Sequence, residues 1–382
     1  MKPRPLNCVF LGLSITSVWG NGHATTYRGL LKELWRRGHH VTFLERDMPW
    51  YAENREFSEA SYCTVALYGS LEELKARFAS LVESADVVVV GSYVPDGIAV
   101  GEWVTSLTKG VPVFYDIDTP VTVANLLAGK CEYLSQGLCR KYQLYFSFTG
   151  GPMLRCIEEK LGSSCARPLY CSVEPSLYYP EQQPVKWDVA YLGTYAADRQ
   201  PALETLLLSM ARTSPDKRFA VAGPQYPDSI AWPVNVERIE HLPAAQHRDF
   251  YNSQRFTLNL TRQDMIRMGY SPSVRLFEAA ACGTPIITDE WPGLEQFYSL
   301  HSEILPVRSA DDLAACLKMS EDQRLAIAEK ARVRTLRFHT AAVRAEQFES
   351  DVNEALEHSR SSGRSSRKSK VAVSEVQTAA LT

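Results

Sequence analysis

The feature that most constrains this chain is a strand–helix alternation that runs through the sequence twice. Short apolar runs, rich in β-branched residues, are separated by stretches with helical spacing. Near-continuous apolar strands are typical of a parallel sheet covered on both faces. The first set of predicted strands is 7–13, 41–45, 63–68, 87–91, 111–116 and 144–148. The second set is 187–192, 218–223, 236–239, 256–260 and 285–288. We therefore expect two successive Rossmann-type α/β domains that face each other across a cleft.

A Pro-rich polar stretch between residues 173 and 184 separates the two sets and is suited to an interdomain linker. We predict an N-terminal domain over 1–175 and a C-terminal domain over 176–340. A long polar helical pattern from 320 to 357, broken near His339, supplies a C-terminal helix over 341–358. Residues 359–382 are Ser-rich and carry five basic residues against one acid, so we predict a disordered tail.

Composition excludes several classes of protein. The 382 residues are 45% hydrophobic with a formal net charge of −3, which argues against a dedicated nucleic-acid binder. No apolar run approaches the ~18 residues of a membrane span. The nine cysteines include no Cys-x-x-Cys pair, which favours reduced thiols in a cytoplasm over a disulfide framework or a zinc site.

The most informative segment is 269–288, GYSPSVRLFEAAACGTPIIT. Ser271 or Ser273 is placed to cap a helix, with Pro272 in its first turn. Free N–H groups at such a helix start, together with the helix dipole, favour an anion such as a diphosphate. Arg275 in the first turn is unfavourable beside that dipole, so an anionic partner for it is plausible. Glu278 lies in an otherwise apolar helix, where an unpartnered carboxylate is costly. A ribose diol is one partner, and an internal Arg or Lys is the other.

The run from Arg275 to Thr288 resembles the nucleotide-sugar signature of GT-B glycosyltransferases, in which a Glu opens E-A-x-A-x-G-x-P. The linker and the strand end at 191–193 also resemble that fold. The start, GNGHATTYRGLLKEL from Gly20, with FLERD at 43–47, resembles more narrowly the CgeB-type spore-maturation glycosyltransferase-like proteins. The resemblance covers roughly residues 7–350. It implies transfer of a sugar from a nucleotide diphosphate donor, held by the second domain, to an acceptor held by the first.

The same resemblance assigns donor-binding residues. Glu278 matches the Glu that binds the donor ribose. Related retaining families have another Glu eight positions earlier, where this chain has Tyr270, which weakens an assignment of retaining stereochemistry. The loop after the first donor-domain strand approaches phosphates in the family, and the loop at 291–295 aligns loosely with one near the donor sugar. The further nucleotide-sugar candidates are Gly193, Thr194, Arg199, His241 and Arg262. For the arginines the alternative is a surface or interdomain salt bridge, and for His241 a plain loop position.

The first domain offers the acceptor-side candidates. Gly20 and Gly22 open the first crossover helix and permit close backbone approach, although they lack the dinucleotide G-x-G-x-x-G spacing. His23 follows them at the cleft, where it is placed to deprotonate an acceptor hydroxyl. A helix-capping or packing histidine is the alternative.

Two carboxylates at the end of a later strand, Asp116 and Asp118, share one face of it. We predict that Asp118 supports His23 as a catalytic pair and that Asp116 lines the cleft. Helix capping by Asp118 and an Asp-x-Asp metal–diphosphate site are the competing interpretations.

Together these observations predict a metal-independent GT-B glycosyltransferase without a cofactor, whose nucleotide sugar is the donor substrate. A nucleotide-sugar epimerase or hydrolase on the same fold, and a non-catalytic nucleotide-binding scaffold, are the alternatives. The sequence does not determine the base, the sugar, the acceptor, the stereochemistry or the oligomeric state.

Overall fold

The N-terminal domain is built on a seven-stranded parallel sheet. A computed structural model describes residues 4–18 and 22–379. The strands of this sheet are β1 (Asn7–Gly12), β2 (His40–Arg46), β3 (Thr64–Tyr68), β4 (Val87–Gly91), β5 (Val111–Asp116), β6 (Leu144–Ser147) and β7 (Ala166–Pro168). Their order is β3-β2-β1-β4-β5-β6-β7. The order reverses between β1 and β4, and a crevice for ligands forms at the carboxyl ends of such strands.

The C-terminal domain repeats the architecture with six strands. They are β8 (Trp187–Leu192), β9 (Phe219–Ala222), β10 (Val236–Ile239), β11 (Gln254–Asn259), β12 (Ile286–Thr288) and β13 (Leu305–Pro306). Their order is β10-β9-β8-β11-β12-β13, and all pairs are parallel. The switch point here lies between β8 and β11, so the ends of β8, β9 and β11 face the cleft.

Helices cover both faces of each sheet. Those of the first domain are α1 (His23–Arg36), α2 (Pro49–Ala52), α3 (Leu71–Ser84), α4 (Gly97–Leu107), α5 (Thr119–Leu127), α6 (Gln136–Cys139) and α7 (Pro152–Leu161). The second domain contains α8 (Gln200–Leu203), α9 (Ser209–Thr213), α10 (His247–Asn252), α11 (Gln263–Met268), α12 (Val274–Ala281), α13 (Leu294–Phe297), α14 (Ala310–Leu317) and α15 (Glu321–Phe338). A π-helical turn joins α8 to α9. Each sheet has an apolar layer on both faces, which is why its strands lack a polar side.

The last helix, α16 (Ala341–Ala379), returns to the first domain. The chain breaks between α15 and α16 at His339, as the sequence predicts, and Val173 of the linker bridges Thr340 there. Phe348 of α16 then stacks against Phe10 of β1 at 5.7 Å between ring centroids. The two domains are therefore joined at two adjacent points, the linker and the α15–α16 junction.

The predicted pair of parallel α/β domains is confirmed. Each sheet has one more strand than predicted, because β7 and β13 are only three and two residues long. The tail differs from the prediction, since α16 runs on through residues 359–379 as helix, while 380–382 lie outside the described residues. Extension of an existing helix avoids the nucleation penalty that an isolated segment of this composition faces. No helix among the described residues is long and apolar enough to cross a membrane.

Candidate functional site

A cavity of about 460 Å³ lies between the two domains at the carboxyl ends of their strands. The start of α1, the ends of β8 and β9, and the helices α10 and α12 enclose it. The predicted site residues that line it are Gly22, Gly193, Thr194, Arg199, His241, Arg275 and Glu278. This set joins most of the donor-domain candidates to the helix start of the opposite domain.

The start of α12 places Arg275 at the cavity. Ser273 is the N-cap, and its Oγ accepts a hydrogen bond from the Arg275 amide at 3.4 Å. The Arg275 guanidinium donates to Asn259 Oδ1 at 2.7 Å and lies 5.3 Å from the centroid of the Tyr191 ring. Its hydrogen-bond and ring partners are thus neutral, while the Asp289 carboxylate acts on it through charge alone. An anion in the cavity would add a direct ionic partner.

Arg199 is a second cation at the same end of the cavity. Its Nη2 donates to the Thr194 carbonyl at 2.6 Å, but its Nε is buried and has no hydrogen-bond partner within residues 4–18 and 22–379. Burial lowers the pKa of Arg199, and the neighbouring cations Arg275 and Arg262 lower it further. A buried donor without a partner is unfavourable, and so is a concentration of like charge. Both are relieved by a bound anion.

Two glycines let the backbone surround this charge. A Cβ on Gly193, directly after β8, would collide with the Tyr191 hydroxyl and approach Arg275 Nη2 to 3.2 Å. Gly223, directly after β9, has a φ of +135°, and a Cβ there would strike the Gly193 carbonyl. Side chains at these positions would therefore fill the space beside the arginines.

Glu278 lies one turn into α12 and is only 6% exposed. Tyr251 donates its hydroxyl hydrogen bond to Glu278 Oε2 at 3.0 Å. Burial raises the pKa of Tyr178, and a hydrogen bond to Glu278 raises it further, so a second tyrosine holds this carboxylate. The partners of Glu278 are tyrosines, which neither of the predicted alternatives included. A carboxylate held by two donors and lining a cavity retains acceptor capacity for a further hydroxyl pair.

On the N-terminal side, α1 directs its first turn into the cavity. Gly22 is its N-cap without a side-chain cap, and Thr25 and Thr26 also line the cavity. The loop before it is fixed by Glu45, which is fully buried at the end of β2. The Glu45 carboxylate accepts four hydrogen bonds from residues 14–16, at 2.6 to 3.1 Å. Gly20 lies outside the described residues.

His23 and Asp118 are connected through a third residue. The Tyr93 hydroxyl donates to Asp118 Oδ2 at 2.8 Å, and the Tyr93 ring lies 5.6 Å from the His23 ring. Burial lowers the pKa of His23 to about 4. The imidazole is therefore neutral at pH 7, but it is a weaker base than one with a pKa near 7.

Asp116 is fully buried behind Asp118. Thr122 and Tyr145 each donate a hydroxyl hydrogen bond to it at 2.6 Å. Burial raises the pKa of Asp116 to about 6, although these two hydrogen bonds lower it. Its burial places it beneath the cleft rather than at its surface. No group of three or more His, Cys, Asp or Glu residues suited to a metal ion occurs in the described part of the chain.

The remaining candidates lie outside the cavity. Ser271 is 2% exposed, and its hydroxyl bonds Thr149 of the N-terminal domain. It therefore contributes to the domain interface, whereas Ser273 forms the cap. Arg262 is exposed at the start of α11, and its charge acts on Asp118 across the cleft. Tyr270 has a φ of +53° and its ring fills the space beside Gly151 and Gly293, so it packs between the domains.

Sequence reasoning missed several lining residues. They are Thr25, Thr26, Tyr178, Gly223, Pro224, His247 and Tyr251. Tyr251 and Tyr178 have no motif of their own, because an isolated tyrosine is more often part of a core. Gly223 was detectable, since it ends a predicted strand just as Gly193 does.

Comparisons with known proteins agree with this geometry. Residues 199–350 match the family model Glyco_trans_1_2, described as glycosyl transferase-like. This segment of the C-terminal domain is thus similar to glycosyl transferase-like proteins, and the whole chain has the GT-B fold. No curated protein sequence matches the chain.

Solved structures cover nearly the whole chain at low identity. Sucrose-phosphate synthase from Thermosynechococcus elongatus matches with a TM-score of 0.65 and 13% identity, over 91% of this chain and 98% of that one. HepE from Anabaena, solved with UDP and glucose, matches with a TM-score of 0.64 and 11% identity over 91% and 100%. AviGT4, a glycosyltransferase of avilamycin A biosynthesis, matches with a TM-score of 0.63 and 17% identity over 93% and 99%.

Proposed function

We propose that this protein transfers a sugar from a nucleoside diphosphate sugar, bound between its two domains, to a hydroxyl acceptor held by the N-terminal domain. The observation that supports the proposal is the buried Nε of Arg199, which lies beside Arg275 and has no hydrogen-bond partner among the described residues. These two cations and the amides at the start of α1 converge on the cavity from opposite domains. A diphosphate supplies the charge and the acceptors that such a site lacks.

The ribose and the base of the donor would occupy the part of the same cavity that lies away from the two arginines. Glu278 would accept hydrogen bonds from the ribose diol, and the segment from His241 to His247 would enclose the base. The developing charge on the leaving diphosphate would be stabilised by the two arginines, so that no metal is required. UDP-glucose is the first donor to test, since UDP is the nucleotide bound in the HepE complexes.

Two finer assignments belong to the same proposal. The start at 20–34 and the motif at 43–47 support membership of the CgeB-type group. All nine cysteines are free, which fits a reducing, cytoplasmic setting. The net charge of −3 favours an acceptor other than a nucleic acid.

Thermal shift with UDP, GDP, dTDP, ADP and CDP, with and without divalent metal, tests the donor site. A nucleotide at ~100 times its dissociation constant adds about 2.7 kcal/mol to the free energy of unfolding, and one of the five should do so without metal. Stabilisation by none of them would refute the donor site, and stabilisation only with metal would refute metal independence. Product analysis with the matching nucleotide sugar then separates a transferase from an epimerase or a hydrolase.

A further inference from the structure

The loop after β4 has an unusual backbone beside the cleft. Tyr93 has a φ of +63° and Asp96 a φ of +55°, so two non-glycine residues of one short loop are left-handed. Bulky side chains rarely adopt this conformation, and it persists only where the surrounding structure imposes it. Such strain is concentrated at functional sites. The residues that Tyr93 contacts are therefore candidates for a functional role.

Tyr93 lies between the two residues that the sequence predicts as a catalytic pair. Its hydroxyl donates to Asp118 Oδ2 at 2.8 Å, and one side of its ring contacts His23. The ring of Tyr133 packs against it at 4.6 Å between centroids. The hydrogen bond that orients Asp118 therefore comes from Tyr93, whose ring also contacts the imidazole of His23.

Asp118 lies where the two domains meet. It immediately precedes α5, which contacts α11 of the opposite domain. The charged groups that act on it from α11 are Arg262 and Asp264. From its own domain it is faced by the Tyr93 hydroxyl and by Asp116, whose Oδ1 accepts a 3.3 Å hydrogen bond from the Asp118 amide. The carboxylate is partly exposed, whereas Asp116 is fully buried.

We propose, as a step of the proposed sugar transfer, that the Asp118 carboxylate accepts the proton of the attacking hydroxyl and that Tyr93 is the residue that positions it. The acceptor O–H bond breaks and its proton moves to Asp118, while the acceptor oxygen bonds to the anomeric carbon. The bond from that carbon to the diphosphate breaks, and its electron pair leaves with the diphosphate toward Arg199 and Arg275. His23 supports the ring of Tyr93 and takes no proton.

The electrostatics of Asp118 agree with this role. Burial raises its pKa, while the Tyr93 hydrogen bond and the charge of Arg262 lower it. Tyr93 thus keeps the carboxylate ionised and ready to accept a proton at neutral pH. Removing the Tyr93 hydroxyl should raise the pH at which Asp118 loses its own proton, an effect that a purely structural tyrosine would not have.

The test follows UDP release from UDP-glucose, or from the nucleotide sugar that the thermal-shift panel selects, with water as the acceptor. We expect Tyr93→Phe to move the acidic limb of the kcat/KM profile to higher pH. Tyr142→Phe is the matched control, because this buried tyrosine of the same domain packs on Phe114 and lies beside Cys139 and Glu102, so it should leave the limb in place. Asp118→Asn should lower kcat by about 100-fold or more, as for loss of a general base. UDP affinity should change in none of the three.

An unmoved limb in Tyr93→Phe, or an equal movement in Tyr142→Phe, would overturn the positioning role. A wild-type rate in Asp118→Asn would overturn the role of the carboxylate. Arg262→Ala provides an independent check if Tyr93→Phe does not fold, since loss of this exposed, facing cation should also move the limb to higher pH. Absence of any nucleotide binding by the wild type would overturn the proposed function itself, whereas binding without these effects would overturn only the present inference.

Discussion

The charged side chains on the two faces of the cleft differ in how fully their hydrogen-bonding groups are satisfied. On the C-terminal side, Arg199 and Arg275 are close to each other and Arg199 Nε lacks a partner within the described residues. On the N-terminal side, Glu45 accepts four hydrogen bonds and Asp116 accepts two strong ones from neighbouring hydroxyls. The C-terminal face, which we propose as the donor face, carries charge that a ligand would complete. The N-terminal face, which we propose as the acceptor face, is organised by its own hydrogen bonds.

The difference indicates what each face contributes. Unneutralised cations raise the energy of the empty site and return that energy when an anion binds. A carboxylate already surrounded by donors gains little from a ligand but fixes the loops around it. Substitutions on the acceptor face should therefore reduce stability or turnover, and substitutions of the donor-face arginines should reduce binding without reducing stability.

The largest expected effect is the pH dependence that Asp116 gives to stability. Because burial raises its pKa to about 6, the folded protein keeps this proton over a range in which the unfolded chain has lost it. The free energy of unfolding should therefore fall as pH rises from about 4 to 6, by roughly 3 kcal/mol relative to Asp116→Asn. Urea unfolding of both proteins from pH 4 to 7 measures the difference and cancels the contribution of the histidines.

A second substitution, Thr122→Val, tests the hydrogen bond that lowers the pKa of Asp116. Loss of the Thr122 hydroxyl removes a hydrogen bond that lowers the pKa of Asp116, so the pH window should extend upward. If the difference in free energy of unfolding between wild type and Asp116→Asn does not change with pH, the pKa of Asp116 is not raised in the folded protein.

On the donor face, Arg199→Ala should raise the dissociation constant of UDP by about 10- to 100-fold, the value of one charge-assisted hydrogen bond to phosphate. The melting temperature should stay the same or rise, because a buried cation beside Arg275 is removed. Calorimetric titration and thermal unfolding measure the two quantities. Arg267→Ala is the control, since Arg267 is exposed and paired with Asp264 on the surface of α11. A fall in stability with unchanged affinity would reverse the assigned roles of the two faces.

The smallest effect is expected at Glu278, because its carboxylate already accepts a hydrogen bond from Tyr251. Wild type should prefer UDP over 2′-deoxy-UDP, and Glu278→Gln should reduce that preference by about fivefold, since the ribose hydroxyl then meets a neutral acceptor. Competition binding of the two nucleotides measures the preference. Glu329→Gln, at an exposed position of α15, should leave it unchanged. An equal preference in wild type and Glu278→Gln would exclude contact between Glu278 and the ribose.

The local sequence was sufficient for the elements that place the donor site. The helix predicted to follow Ser271 or Ser273 is α12, and the strand predicted over 187–192 is β8, which Gly193 follows directly. Both have strong local signals: a capping serine, which here is Ser273 directly after Pro272, and an uninterrupted apolar run. Arg275, Glu278 and Arg199 could be selected because charged residues stand out against the apolar or glycine-rich stretches around them.

The contacts of those residues could not be derived in the same way. Tyr251 reaches Glu278 from α10, 27 residues earlier, and Tyr93 enters between His23 and Asp118 from the loop after β4. Ser271 and Ser273 have the same local signal, yet one caps α12 and the other bonds Thr149 of the opposite domain. The hydrophobic periodicity of the sequence does not indicate which of two serines will bond a partner 122 residues away.

The sequence by itself determined two parallel α/β domains and identified charged residues that line the cavity between them. These properties depend on the apolar periodicity and turn residues of short segments, which act before any domain has formed. Only the tertiary structure decided which hydroxyls hold each carboxylate, how deeply His23 and Asp116 are buried, and that Arg199 Nε has no hydrogen-bond partner among the described residues. Burial and hydrogen bonding depend on groups brought together from distant strands, and these set the pKa values and the charges left for a ligand.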